Sequence, residues 1–178
     1  MKCWRSFDFE KRYGFNKIII FSLLIAMMTF SFTFALMQSV YSEALYAQHF
    51  SWFLIGMILI YPLHKFLHTL PILKYIPKMS CKYQMKYFCL PVISINIKDP
   101  LPKKRFMISL VFPFVVLTPL LFMGASLNPH YLHYFLMLTA YHTGICAIDF
   151  LYLKALTASP KYAVIEENDE GYEILVPQ

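Results

Sequence analysis

His64 and His68 frame the segment His64-Lys65-Phe66-Leu67-His68 at the end of an apolar run. On a helix, residues four apart lie one above the other, so both imidazoles can point a ring nitrogen at one metal ion. In helices of this kind that cleave peptides, a glutamate follows the first histidine and takes a proton from the metal-bound water. Lys65 holds that place here. The segment has the ligands of a metal site and lacks its usual base.

Asp149 is the next residue with chemistry to offer, because a carboxylate within an apolar helix is costly and normally has a partner. At about 1.5 Å per residue, His68 lies about 27 Å below Phe50, and Asp149 lies about 27 Å below Tyr131. The two reach the same level, with His64 one turn higher. His64, His68 and Asp149 can therefore close on one ion and leave a fourth position for water. The plainer alternative has two interfacial histidines and an Asp149 that is neutral or paired with Lys65, Lys154 or a residue of the tail. His142, Cys146 and Asp149 share one helix face at spacings of four and three. A mixed ligand set including His142 or Cys146 competes there with the commoner reading, the small and polar packing face of a transmembrane helix. His49, His130 and His133 fall on the outer side and read as interfacial histidines.

The elements that must carry these residues are membrane helices. Of 178 residues, 58% are hydrophobic, 18% aromatic and 15% charged, and the mean hydropathy is +0.52, well outside the range of ordinary soluble domains. The expected architecture is an all-α polytopic membrane protein, one membrane domain over 1–178. Four transmembrane helices are expected at about 18–40, 50–70, 106–127 and 131–153, each near the 20 residues that a bilayer requires. A cytoplasmic loop, 71–105, and a cytoplasmic tail, 154–178, complete it. Pro71 and Pro77 bracket the exit of the second helix, and Pro113 and Pro119 interrupt the third. The net charge of +6 is spread between membrane segments instead of forming a basic platform, so anionic lipid headgroups, not nucleic acid, are the expected counter-charge. Cys3, Cys81, Cys89 and Cys146 show no CxxC pair and read as free thiols.

Lys and Arg fix the expected orientation. The N-terminal arm carries Lys2, Arg5, Lys11, Arg12 and Lys17, whereas Tyr41 to His49 has none. The loop after the second span carries Lys74, Lys78, Lys82, Lys86, Lys98, Lys103, Lys104 and Arg105 against the single acid Asp99. Both termini are expected in the cytoplasm of a cell-membrane protein. Ala44-Leu45-Tyr46-Ala47 resembles a signal cleavage site, but the apolar run before it is too long for a typical signal core. The arm, with Trp4, Phe7, Phe9, Tyr13 and Phe15 among its basic residues, suits the inner headgroup layer.

A small cytoplasmic β element is expected as well. Ile93, Ile95 and Ile97 alternate with Ser94 and Asn96, and the tail offers Ala163-Val164-Ile165 and Tyr172 to Val176 around the turn-forming Asn168-Asp169-Glu170-Gly171.

Tyr61-Pro62-Leu63-His64-Lys65-Phe66-Leu67-His68, Pro102 to Phe106 leading into Leu110-Val111-Phe112-Pro113-Phe114, His142-Thr143-Gly144-Ile145-Cys146-Ala147-Ile148-Asp149, and the tail Glu166 to Ile174 carry a resemblance. From about Tyr61 to Pro177 the chain resembles a bacterial zincin-peptidase family, a domain of unknown function distantly similar to site-2-protease-type membrane metalloproteases. The resemblance implies zinc held by His64, His68 and Asp149. It does not extend to the catalytic glutamate, and no catalytic residue is assigned. Two functions follow. One is a membrane zinc metallopeptidase acting on a membrane-protein or peptide substrate, with another carboxylate such as Glu166 or Glu167 as base and the substrate strand added beside Ile93 to Ile97. The other is a pseudoenzyme, a catalytically silent scaffold or partner-binding protein with or without metal. A small carrier or channel fits less well, because four spans with one buried acid show no inverted repeat.

Overall fold

The computed structural model describes residues 2–7, 14–86, 90–97, 100–168 and 171–176. Among them are four long helices: α1 (Phe15–Val40), α2 (Phe50–Thr69), α3 (Lys103–Leu127) and α4 (Leu132–Thr157). By length and composition each can cross a membrane. α1, α3 and α4 outrun the expected apolar spans at their charged ends, whereas α2 keeps to its own. α3 begins at Lys103 and α4 continues past Lys154, because backbone hydrogen bonding does not stop where hydropathy falls. α2 passes into a 3-10 segment, Leu70–Lys78, where Pro71 cannot continue the helical ladder.

α4 is the hub of the bundle and packs against the other three helices. It comes close to α1 at Gly144, where a Cβ would stand 3.0 Å from the carbonyl oxygen of Ser22 and 3.2 Å from Cβ of Ala26. Ser22 and Ala26 on α1 face a small stripe that includes Gly144 on α4, the small-residue packing by which membrane helices bring their backbones together. One end of the bundle is filled by Ala125, Leu132 and Leu136 with Phe30, Phe34 and Phe122 around them. Large apolar side chains such as Met28, Phe32, Trp52 and Ile58 remain exposed on the outward helix faces.

The other end is capped by a sheet. The strands are β1 (Lys2–Phe7), β2 (Met79–Lys86), β3 (Leu90–Ile97), β4 (Leu101–Pro102), β5 (Val164–Asn168) and β6 (Gly171–Val176). Four form an antiparallel sheet in the order β1-β6-β5-β4, and β2 and β3 pair separately. The expected tail strands are present as β5 and β6, with Asn168 opposite Gly171; Asp169 and Glu170 of the expected turn lie outside the described residues. The alternating run Ile93 to Ile97 belongs to β3. The arm adds a strand that its residue pattern does not announce. Residues 2–7 form an edge strand, with Lys2 opposite Val176 and Phe7 opposite Tyr172, because β6 offers them an antiparallel backbone edge. Phe9, Lys11, Arg12 and Tyr13 lie outside the described residues.

Ile165 and Ile174, opposite each other on β5 and β6, join Leu101, Phe106, Leu110, Leu156 and Ile72 in one buried cluster. Tyr172 adds edge contacts to the rings of Phe106 and Tyr152, each 4.7 Å between centroids. Lys103 Nζ donates to the carbonyl of Ser159 at 2.6 Å. The start of α3 and the end of α4 are thereby fixed against the sheet, about two turns from Asp149.

Candidate metal centre

One turn of α2 separates His64 and His68, and both rings face α4. Their Nε2 atoms are 3.0 Å apart. Oδ2 of Asp149 lies 3.3 Å from Nε2 of His64 and 3.5 Å from Nε2 of His68. The depth count along the two helices thus corresponds to direct proximity. Neither Lys65 nor Lys154 is the partner of Asp149 among the described residues. Lys65 is half-buried on the flank of α2.

The three atoms suit a zinc ion. Nitrogen and oxygen ligands about 2.0–2.2 Å from a tetrahedral centre stand about 3.3–3.5 Å from one another. The two separations to Asp149 fall at those values, and the 3.0 Å between the imidazole nitrogens is shorter. Asp149 Oδ2 is buried, and although two imidazole nitrogens are close it accepts no well-directed hydrogen bond. A buried carboxylate oxygen in that condition is costly, and a shared cation would satisfy it. His64 is 1% exposed, whereas His68 and Asp149 each retain 14%, so the group can be reached from its His68 and Asp149 side.

A proline sets the orientation of His68. Pro113 has no N–H, so the carbonyl of Ser109, four residues earlier in α3, lacks its usual helical donor. His68 Nδ1 donates to that carbonyl at 2.8 Å. A carbonyl only accepts, so the proton is on Nδ1 and the Nε2 lone pair is free toward Asp149 and His64. Ser109 Oγ in turn donates to the His68 carbonyl, latching the end of α2 to α3.

His64 is oriented from the other side. Its Nδ1 is 3.3 Å from Nε2 of His142, whose Nδ1 is 3.3 Å from Oγ1 of Thr118 on α3. Cys146 Sγ lies 3.5 Å from Nε2 of His142 and 3.9 Å from Nδ1 of His64. The shared helix face of His142, Cys146 and Asp149 therefore turns as a whole toward α2. Among the described residues, two sets of ligand atoms converge within 4.8 Å: His64, His68 and Asp149, and His64, His142 and Cys146.

The remaining histidines stay apart. His130 Nδ1 donates to the carbonyl of Ala44 at 3.0 Å and its ring stacks on Tyr46, while His49 lies against Tyr131. Glu166 is next to core-facing Ile165 in β5, so strand alternation turns it away from the helices and from the centre. That position is wrong for a base. Glu167's side chain, and those of Cys81 and Cys89, lie outside the described residues. Cys3 and Cys146 are free thiols, as expected. Ser109, Pro113 and Thr118 are the positioning residues that spacing on α2 and α4 cannot disclose, and the only advance signal was the proline within α3.

A family model described as "Putative zincin peptidase" matches residues 57–164, more than half of the chain. The match includes both histidines of α2, all of α3 and α4, and the first residue of β5. No curated protein and no solved structure matches the chain significantly.

Proposed function

Since the chain belongs to this zincin peptidase family, we propose that it is a multi-pass cell-membrane protein, both termini cytoplasmic, that holds zinc through His64, His68 and Asp149 without peptidase turnover. The observation that carries the reading is the convergence of three ligand atoms at 3.0, 3.3 and 3.5 Å. Zinc bound there would supply Lewis acidity toward a water or a carbonyl. This chain's own residues orient the ligands: the Ser109 carbonyl sets His68, and His142 with Thr118 sets His64. None of them is a base at the reacting position. A protonated Lys65 cannot accept a proton, and its charge disfavours a nearby cation. Loss of a general base costs about 10² to 10⁴ in rate. The protein thus keeps the family's metal ligands for binding instead of hydrolysis. Lipid surrounds its outward helix faces, and its partner is a membrane protein or an extended peptide, which strand β3 would receive by backbone pairing.

The test is zinc content of the detergent-purified Cys146→Ser protein, in which no thiolate at the bundle core can hold the ion. One zinc per chain is expected, and it should be lost when His64→Ala, His68→Ala or Asp149→Asn is added. A zinc-free Cys146→Ser protein, after purification without chelator and with zinc supplied, would overturn the reading that His64, His68 and Asp149 hold the ion. Lys65→Glu should raise peptide cleavage by the zinc-loaded protein about 10² to 10⁴-fold over a null background, by restoring the base.

A further inference from the structure

His64 offers a nitrogen to each of two ligand sets, and the zinc reading above uses only one of them. The other set is His64 Nδ1, His142 Nε2 and Cys146 Sγ, with all three residues at most 1% exposed. Its separations are 3.3 Å between the nitrogens and 3.5 and 3.9 Å from sulfur to nitrogen. Zinc–nitrogen bonds of about 2.0 Å and a zinc–sulfur bond of about 2.3 Å imply about 3.3 and 3.5 Å for those edges. His142 already has a suitable tautomer available, since a proton on Nδ1 can be donated to Thr118 Oγ1 at 3.3 Å, leaving Nε2 as the ligand.

We propose that Cys146, His142 and the Nδ1 atom of His64 form a second, thiolate-containing zinc seat, and that one ion has two alternative seats because both require His64. A neutral imidazole has one lone pair and one N–H. An ion on Nδ1 places the proton on Nε2, 3.3 Å from the otherwise orphaned Asp149 Oδ2. An ion on Nε2 places the proton on Nδ1, 3.3 Å from His142 Nε2. Each seat, when filled, leaves the proton of the shared ring beside an acceptor atom at 3.3 Å. Charge favours the thiolate seat. Coordination releases the Cys146 thiol proton to solvent, and the divalent ion, the thiolate and the Asp149 carboxylate then sum to zero in an apolar bundle, which lowers the cost of burying them. The sulfur also selects zinc over harder divalent ions. Occupancy of this seat withdraws the ion from the partly exposed side at His68 and Asp149, so it is a resting position.

The second seat stands on its own ligands, whereas the alternation rests on the reading of the first. The experiment is zinc content with zinc-edge X-ray absorption on the full chain in detergent. Asp149→Asn and His68→Ala, on different helices, each leave the second seat whole. In either variant that elutes as a single species, one zinc per chain with a sulfur neighbour at about 2.3 Å is expected. Adding Cys146→Ser should abolish both the sulfur and the zinc. Zinc retained without sulfur in these variants, or lost from both, would overturn the second seat. Loss of zinc from Cys146→Ser alone would instead overturn the first.

Discussion

At the residue scale, Pro113 withholds one N–H from α3, and His68 takes the carbonyl left behind. Pro113→Ala would return a competing donor to Ser109 without removing any ligand. Zinc affinity should fall about 10- to 100-fold, the usual cost of losing an outer partner of a ligating histidine, as measured by competition with a chromophoric chelator. The fold should persist, because alanine suits a helix interior better than proline. The nearness of His64, His68 and Asp149 is legible in the chain, since position along a helix is arithmetic and both helices start from one surface. Ser109 and Thr118 are not, because which carbonyl or hydroxyl meets a ring depends on the rotation of α3 about its axis. Tertiary packing sets that rotation.

Among the elements, the α1–α4 contact has no room for a larger residue at Gly144. At Gly144 any side chain meets the Ser22 carbonyl, a backbone group that cannot swing aside. Gly144→Leu should separate the helices and cost about 1–3 kcal/mol or more, read as a lowered thermal midpoint in detergent. The sheet is held by burial instead. Ile174→Ala, at a fully buried position, should cost about 2–5 kcal/mol, while zinc binding in the surviving folded fraction stays intact. The four long helices are readable as apolar runs, and the tail strands as short alternating segments between turn residues. β1 is not. Its Trp and basic residues suit a membrane surface equally well, and what decides is a backbone edge supplied by a strand about 170 residues away.

For the whole molecule, the proposed orientation follows from the lysine-rich loops. In a protein with Cys81→Ser and Cys89→Ser, the exposed Cys3 should react with a membrane-impermeant maleimide after the cells are opened and not before. A cysteine placed at Ser42 in the α1–α2 loop should show the reverse. Labelling of Cys3 from outside would invert the proposed orientation. β1 and β6 are made at very different times: β1 is synthesised ahead of all four helices and β6 behind them. Until the helices between them have been made, β1 lacks the strand it pairs with in the folded protein. The sheet closes only after α4 has been placed, so completion of the β1–β6 pair reports, in the order of synthesis, that every helix before it has arrived.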